Sequence, residues 1–180
     1  MDKQTMRTEV LAELDQLTPT TKMAQVKVLL SELEGLPAWK NAKTIGVTYS
    51  VPVELPTLPI IMAAWAEGKR VTLPKVMPHR QLAFFEYDVQ TPLIQNDFGL
   101  SEPVESSAVV PEDIDLLIVP GLRFAADTQL RLGFGGGYYD RFLAKFAGVT
   151  LSMALPEMVV PTADWPIEKF DQAVDILLKK

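Results

Sequence analysis

The residues best suited to chemistry in this sequence lie in one glycine-rich segment, RLGFGGGYYDR, at positions 131–141. Four of the five residues from Gly133 to Gly137 are glycines, so the backbone can approach a ligand closely and turn its N–H groups toward it. When such a segment precedes a helix, these N–H groups and the positive end of the helix dipole suit a phosphate. The pattern therefore predicts a phosphate-binding loop.

The charged residues around the loop strengthen this interpretation. Arg131 and Arg141 flank the glycines and can add charge-assisted contacts to an anion. Asp140 follows the glycines and is placed to bind a magnesium ion that accompanies phosphates. The loop is not a P-loop, because no Gly-Lys-Ser/Thr follows, and it is not a dinucleotide-binding fingerprint, because the third glycine would fall on Tyr138. The plain alternative is a flexible turn after a strand, which the entropic cost of consecutive glycines disfavours.

Composition excludes several classes of function. The chain has 180 residues, of which 48% are hydrophobic and 22% charged, as expected for one globular domain over residues 1–180. The formal net charge of −6 argues against a nucleic-acid partner. There is no cysteine and a single histidine, His79, which excludes thiol catalysis and histidine-rich metal sites. The polar N-terminus and the lack of a long apolar run predict a cytoplasmic protein without membrane contact, and we expect a monomer.

The elements that must position the glycine loop alternate between helices and strands. Apolar spacing predicts helices at 4–17, 19–35, 58–67 and 138–146. Short β-rich runs predict strands at 44–50, 70–73, 81–87, 115–119, 149–155 and 174–178, with mostly loop over 88–114. Pro74 is expected to end the strand at 70–73. This alternation predicts an α/β domain with a largely parallel sheet.

The string RLGFGGGYYDRFL, which follows the strand sequence DLLIVPG, closely resembles the signature of the 5-formyltetrahydrofolate cyclo-ligase (methenyltetrahydrofolate synthetase) family. Lys3 and Arg7 form the Lys-x-x-x-Arg of that family, and Glu54 and Thr57 lie where it has Glu-Val-Asp-Thr. The strings LPK at 73–75 and FGLSEP at 98–103 look like its middle elements. The resemblance thus spans nearly the whole chain.

The resemblance implies a three-layer α/β sandwich, similar to ribose-5-phosphate isomerase, around a largely parallel sheet. It also implies an enzyme that uses ATP as co-substrate and Mg²⁺ as cofactor to convert 5-formyltetrahydrofolate into 5,10-methenyltetrahydrofolate, ADP and phosphate. A formamide oxygen is a poor leaving group, so ATP phosphorylates it, the N10 amine attacks the activated carbon, and phosphate leaves. Such an enzyme mainly needs positioning and charge stabilisation for an in-line phosphoryl transfer.

The resemblance also assigns roles to individual residues. ATP would be bound by Lys3, Arg7, Arg131, Leu132, Gly133, Phe134, Gly135, Gly136, Gly137, Tyr138 and Tyr139. The folate would be bound by Tyr49, Glu54, Phe134, Gly135, Gly136, Gly137 and Tyr138. Arg131 and Asp140 would be catalytic, and Asp140 and Asp171 would hold magnesium.

Several of these residues have ordinary alternative interpretations. Lys3 and Arg7 stand one helical turn apart, which on sequence alone is typical of a solvated helix face. Glu54 is equally compatible with a surface charge in a proline-rich loop. Asp175 could replace Asp171 as the second carboxylate, and Tyr138 and Tyr139 could be core aromatics at the start of a helix.

The chain also departs from the family pattern. Ala125 and Thr128 stand where members usually have Asp and Gly, Pro56 replaces an acid, and Met158 replaces a frequent glutamine. Lys179 replaces the closing threonine, and Phe134 takes a position that is Arg in many members and aromatic in others. We expect these changes to crowd the pocket wall more than the phosphate loop. Two other functions therefore stay open: a non-catalytic relative that binds folate or nucleotide, and a sugar-phosphate isomerase or binder on the same fold.

Overall fold

The computed structural model describes residues 2–105 and 108–180 of the chain. Its helices are α1 (Lys3–Asp15), α2 (Pro19–Gly35), α3 (Pro37–Asn41), α4 (Leu58–Ala66) and α5 (Tyr138–Leu143). The start of α2 follows from local sequence. The Thr21 amide donates to Thr18 Oγ1 at 3.1 Å, and Pro19 occupies the first turn, where its missing N–H is not needed.

The strands form one large sheet and two small ones. In chain order they are β1 (Thr44–Gly46), β2 (Arg70–Met77), β3 (Gln81–Glu86), β4 (Leu93–Gln95), β5 (Ser101–Pro103), β6 (Ala108–Val109), β7 (Leu116–Ile118), β8 (Arg123–Ala125), β9 (Arg131–Leu132), β10 (Val149–Ala154), β11 (Val159–Val160) and β12 (Ile176–Lys179). The large sheet has the order β12-β10-β7-β1-β2-β3-β6. Its pairs from β12 to β2 are parallel, whereas β3 and β6 add antiparallel. The prediction of a mixed α/β chain with a mainly parallel sheet is confirmed.

Both faces of the large sheet are buried at its centre, where β1 and β7 lie. Successive residues of β7 point to opposite faces, and Leu116 belongs to one hydrophobic cluster whereas Leu117 belongs to the other. The larger cluster receives apolar side chains of α1, α2 and α4, and the smaller one receives Leu143 of α5. Helices therefore cover the sheet on both sides and form three layers.

Some element boundaries differ from those expected. Pro74 does not end β2, which continues to Met77. The reason is that β1 pairs with β2 only as far as Thr72, and beyond that residue β2 pairs with β3 alone. A proline is tolerated there because its missing N–H can face the unpaired edge. The first strand ends at Gly46, and the helix at Tyr138 ends at Leu143.

The prediction of mostly loop over 88–114 is confirmed for the described residues, although three short strands, β4, β5 and β6, interrupt the loop. These strands have two or three residues each, too few to produce a periodic pattern. Positions 106 and 107 of this stretch lie outside the described residues. No helix in the described part of the chain is long and apolar enough to cross a membrane.

Candidate active site

A cleft of about 480 Å³ is bordered by α1, the segment after β1, β9, the glycine loop, α5 and the segment before β12. This volume is in the range of small-molecule sites. Every residue predicted to bind ATP, folate or metal lines it: Lys3, Arg7, Tyr49, Glu54, Arg131, Leu132, Gly133, Phe134, Gly135, Gly136, Gly137, Tyr138, Tyr139, Asp140 and Asp171. Residues distant in sequence are thus brought to one place.

The glycine loop has a backbone that most residues could not adopt. Gly135 and Gly137 have φ values of +104° and +67°, while Gly136 between them does not have a positive φ. Alternation of this kind turns successive N–H groups into one concavity that suits an anion. The loop is tied to α1, because Arg7 Nε donates to the Gly133 carbonyl at 2.8 Å. Arg7 is therefore part of the site rather than of a solvated helix face.

Arg131 and Asp140 form an ion pair at the floor of the cleft. The Arg131 side chain is only 3% exposed, and its Nη2 donates to Asp140 Oδ1 at 3.0 Å. The amide of Gln172 donates to the same oxygen at 3.2 Å. Burial lowers the pKa of Arg131, and the neighbouring Asp140 opposes that shift. The pair places a fixed cation and a carboxylate beside the glycine loop.

Two buried polar atoms beside this pair have no hydrogen-bond partner within residues 2–105 and 108–180: Arg131 Nε and Tyr139 Oη. The Arg131 guanidinium lies 5.7 Å from the centre of the Tyr139 ring. Burial raises the pKa of the Tyr139 hydroxyl, so it stays protonated at neutral pH and is available as a donor. Buried polar groups without partners are rare, which indicates that a ligand or water completes this part of the cleft.

Lys3 is held by carboxylates from the far end of the chain. Its Nζ donates to Asp171 Oδ2 at 2.8 Å and to Glu168 Oε2 at 2.9 Å. Burial alone would lower the pKa of Lys3, but these hydrogen bonds outweigh it and leave the pKa raised. Asp175, the alternative to Asp171, instead accepts hydrogen bonds from the amide and hydroxyl of Thr150, each at 2.8 Å. Asp171 is therefore the carboxylate at the cleft, and Asp175 joins β12 to β10.

Glu54 lies in the segment 47–57, which connects β1 to α4 without regular structure. Its Oε2 accepts a hydrogen bond from the Val51 amide at 2.8 Å. Burial raises the pKa of Glu54, and the Val51 hydrogen bond opposes that shift. Tyr49 of the same segment packs edge-on against Tyr87 with 6.2 Å between ring centres. Glu54 is therefore a desolvated carboxylate facing the cleft, not a surface charge.

Replacing Glu54 with glutamine is expected to stabilise the folded protein at neutral pH. Because burial raises the pKa of Glu54, the folded chain binds its proton more tightly than the unfolded chain, and stability falls as pH rises through that interval. E54Q removes this loss, so its melting temperature should exceed that of the wild type at pH 7. The difference should vanish below about pH 4, where the unfolded carboxylate is also protonated.

Thermal unfolding followed by circular dichroism between about pH 3 and pH 8 measures this effect. Glu112→Gln is the matched control, since Glu112 is exposed and the same substitution there should leave the pH profile unchanged. A melting temperature of E54Q below that of the wild type at pH 7 would contradict the prediction.

Sequence reasoning gave no role to several residues that line the cleft. Phe98 and Phe170 line the cleft, as Phe134 does, and are 69% and 55% exposed. Arg80 is the last residue of the turn between β2 and β3 and has a positive φ of 57°. Glu102 is buried and accepts hydrogen bonds from the Val76 amide and the Asn96 side chain, each at 2.8 Å. The string FGLSEP at 98–103 resembles a family element without giving Phe98 or Glu102 a role, and no local signal marks Arg80.

The prediction that the departures from the family pattern crowd the cleft wall holds for Phe134, which lines the cleft, and was wrong for Pro56, Ala125, Thr128 and Met158. Ala125 is fully buried in the larger core cluster, and Pro56 and Thr128 are not among the lining residues. Met158 is 2% exposed and lines a separate cavity of about 30 Å³ that borders Glu54. Ala125 and Met158 are therefore interior positions, whereas Pro56 is half-buried and Thr128 is exposed.

A mainly parallel sheet with a cleft lined by a positive-φ glycine loop, buried cations and carboxylates defines an α/β enzyme for small molecules. Comparison with known proteins identifies the family to which the chain belongs. A family model described as the 5-formyltetrahydrofolate cyclo-ligase family matches residues 1–180, and the chain belongs to this family of ligases.

Named relatives agree with this membership. The 5-formyltetrahydrofolate cyclo-ligase of Haemophilus influenzae is 31% identical over 94% of this chain and 95% of its own length. That of Escherichia coli K12 is 36% identical over 71% of each chain. The solved structure of Aquifex aeolicus 5,10-methenyltetrahydrofolate synthetase matches with a TM-score of 0.85 and 30% identity, covering 99% of this chain and 90% of that one. The Mycoplasma pneumoniae synthetase shares the fold, with a TM-score of 0.78 at 21% identity over 99% and 98% of the two chains.

Proposed function

We propose that this enzyme converts 5-formyltetrahydrofolate into 5,10-methenyltetrahydrofolate and, in the same reaction, ATP into ADP and phosphate. The observation that carries this proposal is the convergence of all the motif residues on one cleft. The relatives at 30% identity or more are named for this folate conversion. The ATP and magnesium requirements and the role of each residue are part of the proposal.

The nucleotide half of the cleft is proposed to be the glycine loop and the cations around it. N–H groups of Gly135, Gly136 and Gly137 would contact phosphate oxygens, as the alternating φ values favour. Lys3 and Arg7 would add charge from α1. Lys3 forms ion pairs with Asp171 and Glu168. A phosphate oxygen of ATP would therefore have to replace these carboxylates at the Lys3 ammonium group.

Magnesium fits the carboxylates at this end of the cleft. The described residues contain no group of three or more His, Asp or Glu side chains arranged for a metal. That agrees with Mg²⁺, which is usually held by one or two carboxylates together with substrate phosphates and water. Asp140 and Asp171 would hold it, and their present partners, Arg131 and Lys3, would then face the phosphates. The ion would neutralise negative charge on the transferred phosphoryl group.

The folate half of the cleft is proposed to lie around Glu54. A desolvated carboxylate accepts hydrogen bonds from the amino and N–H donors of a pterin ring. Tyr49, Phe134 and Tyr138 would contact the flat rings of the substrate, for which aromatic faces are well suited. The formyl group would then lie between the folate half and the glycine loop.

The chemistry proceeds in two steps. The formyl oxygen attacks the γ-phosphorus of ATP, the bond to the ADP oxygen breaks, and the formyl carbon becomes electrophilic. N10 then bonds to that carbon, the C–O bond breaks with release of phosphate, and N10 loses its proton. Arg131 would hold the transferred phosphoryl group from the floor of the cleft, and Tyr139 would donate a hydrogen bond beside it.

A direct assay tests the proposal. Purified protein is mixed with 5-formyltetrahydrofolate, ATP and Mg²⁺, and the near-ultraviolet band of the methenyl product is followed. We expect a rise in absorbance that requires all three components. No rise with a folded protein would overturn the ligase proposal, and calorimetric titration with each substrate would then detect a binding protein without turnover.

The sequence-based expectations of a monomer, of a cytoplasmic location and of a likeness to the ribose-5-phosphate isomerase fold stay predictions. A shared fold would not by itself imply isomerase activity. A sugar-phosphate enzyme would bind its substrate without ATP, so the component-omission experiment separates the two activities.

A further inference from the structure

Lys22 is a buried lysine that faces the segment carrying Glu54. It belongs to α2 and is only 4% exposed. Its Nζ donates to the carbonyl oxygens of Pro52 at 2.8 Å and Val53 at 3.0 Å. Burial lowers the pKa of Lys22, with a weaker opposing effect of Asp15, and within the described part of the chain no carboxylate hydrogen-bonds to it. A desolvated cation is thus held by two backbone carbonyls.

The segment 47–57 contains neither helix nor strand, so side-chain hydrogen bonds add to a few backbone ones, such as that from the Glu54 amide to the Val51 carbonyl at 3.0 Å, in fixing its shape. Ser50 and Thr57 exchange hydrogen bonds of 3.0 Å between amides and hydroxyls, which close the base of the segment. Glu54 accepts from the Val51 amide, which closes the turn at its tip. These contacts lie within the segment. Lys22 connects the tip to α2, through the two carbonyls that directly precede Glu54.

We propose that Lys22 is a positioning residue for folate binding, which acts by holding the Pro52 and Val53 carbonyls and thereby the carboxylate of Glu54. This inference rests on the proposed function, since it takes Glu54 as the folate-binding carboxylate. The nucleotide half of the cleft, formed by α1 and the glycine loop, makes no hydrogen bond to Lys22 among the described residues. Loss of Lys22 should therefore affect one substrate and not the other.

The test is Lys22→Met, which keeps side-chain length but removes the charge and the hydrogen bonds. We expect KM for 5-formyltetrahydrofolate to rise about tenfold, as for the loss of charge-assisted hydrogen bonds, with KM for ATP within about twofold of the wild type. Lys22→Gln can still donate to one carbonyl and should have an intermediate effect. Lys27→Met, an exposed lysine of the same helix, is the matched control.

Each result decides the proposal. An unchanged folate KM in folded K22M, or a parallel rise of both KM values, overturns it, because a merely structural role would not distinguish the substrates. If K22M does not fold, K22Q carries the same comparison. If the wild type shows no turnover, the proposed function fails separately, and calorimetry with 5-formyltetrahydrofolate still tests Lys22. Weaker binding to the variant than to the wild type supports the proposal. Equal binding to both proteins, or no binding to the wild type, overturns it.

Discussion

Replacing Asp140 with asparagine is expected to reduce kcat by about a thousandfold or more, the scale of losing a central electrostatic group in an active site. The Asp140 carboxylate balances the charge of Arg131, whose side chain is 3% exposed. Asparagine can still accept the Arg131 hydrogen bond, but it carries no charge. The cation is left uncompensated, and one proposed magnesium ligand is lost.

The same substitution should also destabilise the fold, because Arg131 stays buried without its counter-charge. Breaking a buried pair costs about 3 kcal/mol, or about 6–12 °C in melting temperature for a chain of this size. Turnover is therefore measured well below the melting temperature of D140N. Asp127→Asn, at an exposed aspartate in the turn before β9, is the control and should leave both quantities unchanged. Turnover of D140N within tenfold of the wild type would contradict the catalytic assignment.

Features determined by neighbouring residues could be predicted from the sequence. Thr18 and Pro19 mark the start of α2 because capping and the fixed φ of proline act within one turn. The apolar run before Pro120 predicts a strand buried on both faces, and β7 is one, since its side chains enter both core clusters. The glycine loop could be recognised because glycine itself permits the positive φ values of Gly135 and Gly137.

Features determined by distant partners could not be predicted in the same way. Asp171 and Asp175 are both aspartates near the end of the chain, and only the folded structure places one on Lys3 and the other on Thr150. Arg7 looks like a helix-surface residue until its partner, the carbonyl of Gly133, is brought against α1. Short strands such as β8 exist because other strands pair with them, so no internal pattern reveals them.

The burial of Glu54 illustrates the same limit for a site residue. A carboxylate in a proline-rich segment has no sequence feature that shows whether it is solvated. Its environment comes from the folded chain around the cleft. Lys22, which lies 32 positions earlier in the sequence, holds the carbonyl of the preceding residue, Val53. The family resemblance identified Glu54 as a site residue, but the buried lysine behind it became apparent only from the structure.

Replacing Gly135 with alanine is expected to raise KM for ATP about a hundredfold, because the loop backbone would be strained and Arg7 would be displaced. Gly135 has φ +104°, which an L-residue rarely adopts, so alanine would force the loop toward another conformation. A Cβ at this position would also lie 3.2 Å from Arg7 Cζ and Nη1. Arg7 cannot move away freely, because its Nε donates to the Gly133 carbonyl at 2.8 Å.

G135A should act on the cleft and leave the fold intact, since the substituted residue lies in a loop outside both core clusters. Calorimetry with ATP and initial-rate kinetics measure it, with a melting temperature within a few degrees of the wild type as evidence of folding. Gly35→Ala is the matched control: it has no atom within 4 Å of the new Cβ and no positive φ, and it lies at the end of α2. An ATP KM within threefold of the wild type in G135A would show that the alternating backbone of this loop does not hold the nucleotide.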